Sequence, residues 1–504
     1  MPPDLIVEKL SEASFFRAIG DGEIDARTLP RATYLFNYLK AIKAGTLVVE
    51  AGYIDGDYLE DFATYYVRCF KQYASRCRRL HFFEGEWSQE VIEAIALGDD
   101  ANLERFQQSY RGFIVRRPLP EAIIGRTQLA TYEADNGRRR YTAVRTYHAH
   151  LLGIQLSIKS LPFQEQDTVT AACATVAIWS ALNQVSGMFG TPAPRPALIT
   201  RSAASVQRAG RPIPSHGLNV EQICSAVTAS GLEPEVFNVT PETPLPSLLY
   251  AYLSYRVPVV LGVEVEGRGL HAVTLAGYSL LDKRHLTTET GPSVKYHNMI
   301  GLRINEFYAH DDQIGPFSRL NVKPSFSSAT GRTFPITLEG SWTDPVANKQ
   351  LALYPFVVII PVYHKIRVTF LDVQKWISRI SRVSVLVVTD QSLYEWDTRL
   401  TDTNRVKVWA RSVGSGRSWQ RQLILDQHPR FMWQATLRVA GTDCLDLLID
   451  ATDMARSFSI YRLIWRDQAF GTRFLQILNT PNIAVLLEQF LTQRLVELMR
   501  ATPL

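Results

Sequence analysis

The chain has 504 residues, 46% hydrophobic and 20% charged, a balance that excludes a disordered or fibrous protein and leaves room for about two to four folded domains. A net charge of +5, from 54 Lys and Arg against 49 Asp and Glu, is small for this length and argues against a nucleic-acid binder, which concentrates more charge. Five cysteines (Cys69, Cys77, Cys173, Cys224 and Cys444) without a CxxC pair fit neither a disulfide framework nor a zinc knuckle and point to a reducing, cytoplasmic setting.

The first residues carry acidic side chains and lack the basic-then-apolar pattern of an export signal. No apolar run, YPFVVIIPVY (354–363) included, reaches the ~20 residues needed to cross a membrane. Residues 1–150 alternate strand and helix patterns and read as an accessory α/β region. TLVVEAGYI (46–54) is a buried strand, and 57–77 is a helix opened by an Asp57/Glu60 capping box. A strand at RLHFFEG, a helix over 88–110, and strands at GFIVRRPLP and AIIGRTQLATYE follow.

Residues 151–365 change character: an apolar helix, then polar and Pro-rich connections, then strands at 257–265, 269–280, 300–310 and 352–363. Helix first and sheet second is an α+β order, with the helix packed on an antiparallel sheet. Residues 366–504 form a third, mixed α/β region, with a helix at FLDVQKWISRI, strands at VSVLVVTD and CLDLLIDATD, and a final amphipathic helix over 482–500.

The chemistry concentrates in the middle segment. Thiol catalysis requires a thiolate, a base, a group that orients the base, and donors for the oxyanion of a tetrahedral intermediate. In FQEQDTVTAACATVAIWSALN, Cys173 lies just inside the start of an apolar helix, with Thr168 or Thr170 as N-cap. Orphan N–H groups and the positive end of the dipole at such a start favour an anion. GLHAVTLAGYSL offers His271 at the beginning of a strand paired with VPVVLGVEV, where the imidazole can take the thiol proton and return it to a leaving amine. In INEFYAHDDQIGPFSRL, Asp311 closes the next strand, Gly315 and Pro316 turn the chain away, and a carboxylate there can fix the ring tautomer. Asp312 is the alternative orienting residue. Gln164 and Gln166, upstream of Cys173, offer amides to the oxyanion alongside the Cys173 N–H.

A Gln, a Cys opening an apolar helix, a later His followed by small and β-branched residues, and an Asp with Gly four residues on resemble the papain-like cysteine peptidases. The nearest branch is the bacterial double-glycine leader peptidases of bacteriocin exporters and their free-standing relatives. The resemblance covers residues 160–320, roughly a third of the chain. It implies a papain-type fold, a thiolate–imidazolium pair and cleavage of an amide bond through a thioester. Carried over by position, Cys173 is the nucleophile, His271 the base, Asp311 the orienting residue and Gln166 the oxyanion donor, with Gln164 and Asp312 as alternatives. Family members place the Gln six residues before the Cys, whereas Gln166 and Gln164 stand seven and nine before it. Ala174 stands where Gly is common, and the polar stretch at 281–299 lengthens the interval between His271 and Asp311.

A peptide or protein substrate, no cofactor and no metal are expected. Two other functions share these residues: an acyltransferase or transglutaminase-like enzyme that passes the thioester to an amine or thiol, and an inactive papain-like scaffold whose flanking regions engage a protein partner. Other features read as structure. Cys224 packs as a small hydrophobe. His148 and His150 alternate on a strand without a third metal ligand. The basic groups at 76–79 and 138–140 are short runs on solvated faces, GSGRSWQR (414–421) lacks the context of a phosphate loop, and Asp450 closes a turn.

Overall fold

The computed structural model describes residues 5–20, 30–167, 169, 172–206, 217–282, 298–327, 333–344, 349–388, 390, 393–413, 418–455, 458–480 and 491–503. The fold is α+β, and the strands of every sheet pair antiparallel.

The N-terminal region is built on strands β1 (Leu5–Lys9), β2 (Ala44–Tyr53), β3 (Cys77–Glu84), β4 (Tyr110–Arg116) and β5 (Ile124–Leu129), which pair in chain order. Side chains alternate across a strand, so Leu47 and Phe82 face one layer and Val48 and Phe83 the other. The first layer holds helices α1 (Glu12–Ile19) and α2 (Pro30–Ala41), which contribute Phe15, Leu35 and Tyr38. The second holds α3 (Gly56–Thr64), α4 (Gln89–Ala96), α5 (Leu103–Ser109) and a hairpin of β7 (Arg145–Leu151) and β8 (Ile154–Ser160) that follows the short β6 (Arg139–Arg140).

Two helices differ from the sequence expectation. The helix expected over 57–77 ends at Thr64 and is capped two residues earlier: the Asp55 carboxylate accepts the N–H groups of Asp57 and Tyr58, while Asp57 binds Arg126 Nε at 2.9 Å. The single helix expected over 88–110 is two, broken where Gly98 takes a φ of +104°, a conformation open to glycine at little cost.

The middle region holds α6 (Cys173–Phe189), α7 (Pro196–Ala203), α8 (Val220–Ala229), β9 (Glu233–Asn238) and α9 (Leu245–Leu253). Then come β10 (Val259–Val265), β11 (Gly269–Leu280), β12 (Ile304–Asp311), β13 (Gly315–Ser327), β14 (Thr333–Asp344) and β15 (Lys349–Val362). These last six strands pair in sequence, and β15 returns to pair with β10, which closes them into a barrel; β9 extends it beside β15. Two of the strands, β13 and β14, were not expected. Gly315 and Pro316 do not turn the chain away; Asp311 pairs with Gly315 and the strand doubles back. Pro316 and Pro324, together with the polar residues between them, hide the strand pattern. Helix α6 is buried nearly all round and is tied to the barrel by Thr274, whose hydroxyl donates to the Ala177 carbonyl at 2.6 Å.

The C-terminal region packs α10 (Phe370–Val387) on a four-stranded sheet of β16 (Tyr394–Asp402), β17 (Phe431–Val439), β18 (Thr442–Asp450) and β19 (Ile460–Trp465). The stretch VSVLVVTD, expected as a strand, instead carries α10 on to Val387. Trp376, Ile377, Ile380, Val383 and Ser384 are buried at helical spacing, and that amphipathic period outweighs the strand preference of the valines. One buried cluster joins Leu182 of α6, Val260 and Leu275 of the barrel, and Phe370, Trp396 and Trp433 of this region, so the C-terminal region shares a core with the middle one. Of the expected final helix, Gln493–Ala501 is helical and 482–490 lie outside the described residues. Among the described residues no helix is long and apolar enough to cross a membrane.

Candidate active site

The start of α6 and the ends of β11 and β12 meet at one corner. Ala172 is the N-cap of α6 and supplies no side-chain cap, so Cys173 is the first helical residue and is half-buried; Thr168 and Thr170 lie outside the described residues. His271 is the third residue of β11, paired with Val263. Asp311 is the last residue of β12, held by the hairpin to β13.

Within this corner, the His271 Nε2 and Asp311 Oδ1 atoms are 3.0 Å apart. The carboxylate accepts two further donors, the Gln313 N–H on Oδ1 at 3.0 Å and the Trp342 indole N–H on Oδ2 at 2.7 Å. Trp342 also stands edge-on to the imidazole, with ring centres 5.2 Å apart. Nε2 therefore carries the proton given to Asp311, and Nδ1 is the free nitrogen. It is buried and has no hydrogen-bond partner of ordinary geometry, but the Cys173 thiol is close enough to act on the ring. Burial lowers the His271 pKa, yet the attached Asp311 carboxylate outweighs it and, helped by Cys173 and Asp312, holds the ring well above an ordinary histidine. Burial acts on Asp311 in the opposite sense, but His271, Trp342 and the Gln313 N–H together leave it below the usual carboxylate range.

Asp312 behaves differently from its neighbour. Its Oδ1 is 3.6 Å from His271 Nε2, and burial pushes its carboxyl up to about 7. Donor atoms of His271, Asp311 and Asp312 lie within 4.8 Å of one another, a spacing compatible with a cation. Three N–H donors already occupy the Asp311 oxygens, whereas the Asp312 oxygens have no such donor among the described residues.

Cys173 and His271 share a cavity of about 380 Å³ whose other walls are mostly apolar, among them Leu218, Ile223, Val260, Phe356 and Ile359. Gly262 forms part of it, and a Cβ there would meet Val357 Cγ1 at 2.5 Å and Phe356 Cζ at 3.0 Å. Ala174 and Ala272 flank Cys173 and His271.

The two glutamines separate. Gln166 lines a second cavity of about 230 Å³, with Arg31, Tyr66 and Asp167, that shares no lining residue with the cleft. Gln164 is buried, and its Nε2 has no hydrogen-bond partner among the described residues.

The remaining sequence features fall into structural places. Cys224 sits half-buried in α8, where burial pushes its thiol up. His148 and His150 are exposed on β7, and His148 Nδ1 lies 3.0 Å from the Ser157 hydroxyl. Arg79 binds Glu50, and Arg139 and Arg140 form β6 against β11. Asp450 accepts the Thr452 N–H at 2.7 Å, closing a turn. Residues 283–297, most of the long interval before Asp311, and residues 414–417 lie outside the described residues. Sequence reasoning missed Trp342, in LEGSWTD, because nothing there marks a tryptophan that reaches another strand's carboxylate; only the register of β13 and β14 brings it there.

Compared with protein-family models and with curated proteins, the chain matches none.

Proposed function

We propose that this chain is a papain-like cysteine hydrolase that cleaves an amide bond in a peptide or protein. The observation that carries this reading is the orientation of His271: Asp311 binds Nε2, which leaves Nδ1 on the cavity shared with a cysteine at the first position of a buried helix.

The chemistry follows from those positions. The Cys173 thiolate attacks the substrate carbonyl carbon, and the carbonyl π electrons move onto oxygen. N–H groups at the start of α6 and one glutamine amide receive that oxyanion. Collapse breaks the C–N bond as the His271 imidazolium gives its Nδ1 proton to the leaving amine, producing a thioester. Water then attacks the thioester with His271 as base, releasing the acid and restoring the thiol. Asp311 stabilises the imidazolium and fixes the ring throughout. The five free cysteines suit a reducing, cytoplasmic setting, and the flanking regions are surfaces for a protein partner.

The test is labelling with an electrophilic peptide-like probe. Cys173 is the expected site, and Cys173→Ala should abolish both labelling and amide hydrolysis while leaving Tm nearly unchanged, whereas Cys224→Ala should do neither. Full hydrolysis by Cys173→Ala, or faster labelling of Cys69 or Cys444, would remove the reading.

A further inference from the structure

Asp311 and Asp312 are consecutive, yet only the first has ordinary partners. Asp312 is 3% exposed, and among the described residues neither of its side-chain oxygens has a hydrogen-bond partner of ordinary geometry. A buried polar group left unpaired keeps its desolvation cost uncompensated. The charged groups facing it are His271 from β11, Asp311 on its own strand and Arg31 from α2 of the N-terminal region. Arg31 is itself anchored, with Nε 2.6 Å from Glu165 Oε2. Helix α2 is fixed on this corner: the Tyr34 hydroxyl donates to the Pro316 carbonyl at 2.8 Å, and its ring fills the space a Cβ at Gly315 would need, 2.2 Å away.

We propose that Asp312 is a positioning residue for His271: resting on the cysteine-hydrolase reading, it supplies a second counter-charge that keeps the imidazolium protonated beside Cys173 as pH rises, and Arg31 controls that charge. The geometry provides the route, since Asp312 Oδ1 approaches at 3.6 Å the same nitrogen that Asp311 binds at 3.0 Å. The timing follows from the electrostatics. Burial raises Asp312 to about 7; His271 opposes that rise, Asp311 adds to it and Arg31 opposes it. Below neutrality Asp312 is an uncharged carboxyl and Asp311 alone holds the ring. Above neutrality Asp312 ionises, and a second anion then resists loss of the imidazolium proton. The N-terminal region thereby reaches the catalytic corner through one arginine.

The experiment follows the ring resonances of His271 across pH by NMR in the full chain carrying Cys173→Ala, with the signal assigned by its loss in His271→Gln. Adding Asp312→Asn should move deprotonation of His271 to lower pH. Arg31→Gln should move it in the same direction but less, because Asp312 then keeps its own proton longer; Arg31→Lys should restore the parent behaviour. Arg31 is partly exposed, so this arm serves even where Asp312→Asn fails to fold. In protein with the thiol intact, the ratio of hydrolysis rate at about pH 9 to that at about pH 6.5 should fall roughly tenfold in Asp312→Asn. Unchanged titration of His271 in both Asp312→Asn and Arg31→Gln overturns the proposal, whatever the nucleophile proves to be. Shifted titration alongside hydrolysis that survives Cys173→Ala supports the Asp312–His271 coupling and overturns only the hydrolase reading.

Discussion

Two buried histidines on neighbouring strands of the barrel have opposite acid–base character. His271, at the cleft end of β11, has a carboxylate on Nε2 and is held well above an ordinary histidine. His310, on β12 at the seam with the N-terminal region, gives its Nε2 proton to the Leu161 carbonyl at 2.9 Å and accepts the Phe317 N–H on Nδ1 at 3.1 Å. Phe163 and Phe317 stand edge-on around it. Burial pushes His310 down to about 4, with only the Leu161 carbonyl opposing it. Burial is nearly the same at the two sites, 5% and 3% exposed, so burial does not decide the outcome. The partner does: a carboxylate overcomes burial and makes the ring a cation, and where the ring has only backbone partners burial keeps it neutral.

The two rings should therefore fail differently. On the hydrolase reading His271→Ala removes the proton donor and the partner of the thiolate together, so hydrolysis should fall by more than about 10³-fold, and Tm should fall too because the buried Asp311 carboxylate loses its counter-charge. His310→Gln should leave the pH profile of activity intact and cost about 1–3 kcal/mol of stability through its two buried backbone partners. The folded pKa of His310 lies below the unfolded value near 6.5, so the unfolded chain takes up the proton first and stability drains as pH falls from about 6.5 to about 4. Denaturation curves at several pH values should show a smaller loss of stability toward acid pH in His310→Gln than in the parent, the difference being the His310 share, since His81 is depressed in the same way and Asp312 acts in the opposite sense. An unchanged slope would mean that His310 is not the neutral buried ring described.

The two glutamines give a second, smaller contrast. Loss of one preorganised oxyanion donor costs about 10²–10³ in kcat. Gln164 has a free buried amide and Gln166 faces the other cavity, so Gln164→Ala should show that loss and Gln166→Ala less than about a tenfold change. The reverse result would return the donor to Gln166 and mean that the segment before α6 rearranges when substrate binds.

Much of the cleft side was legible because its signals are local. An apolar helix opening on Cys173, a hairpin presenting His271 and an Asp at the next strand's end each announce themselves within a dozen residues. The seam was not legible, for reasons of range. Arg31 acts on Asp312 only because α2 packs on the β12–β13 hairpin, and Trp342 reaches Asp311 only through the register of strands that prolines disguised. Local pattern also misled where two principles competed: valines favour a strand, yet Val383 extends α10 because the preceding buried residues keep the helical period. The cap at Asp55 rather than Asp57 is a choice between two nearby carboxylates that composition cannot make, since Arg126, distant in sequence, claims the second.

Asp311 and Asp312 extend the comparison to adjacent residues and to the smallest effect. Asp311 is lowered in the folded protein, so it contributes stability above its unfolded pKa that is lost as pH falls through the folded value. Asp312 runs the other way. Its carboxyl ordinarily titrates near 3.8 and here near 7, so between those values the folded chain holds a proton that the unfolded chain has lost, and stability falls as pH rises through that window. Asp312→Asn cannot ionise and escapes the penalty. It should equal the parent near pH 4 and exceed it by ~1–3 kcal/mol at pH 8, the scale of an unpaired buried polar group, measured as paired urea denaturations at the two pH values. Asp311→Asn should instead be less stable than the parent at pH 8. Should Asp312→Asn be no more stable than the parent at pH 8, some partner compensates the buried charge and Asp312 carries no cost there. Should it gain as expected while its His271 also deprotonates at lower pH, one carboxylate is destabilising the fold and supporting the imidazolium at once, the exchange of stability for activity seen where a site needs a charge that the core disfavours.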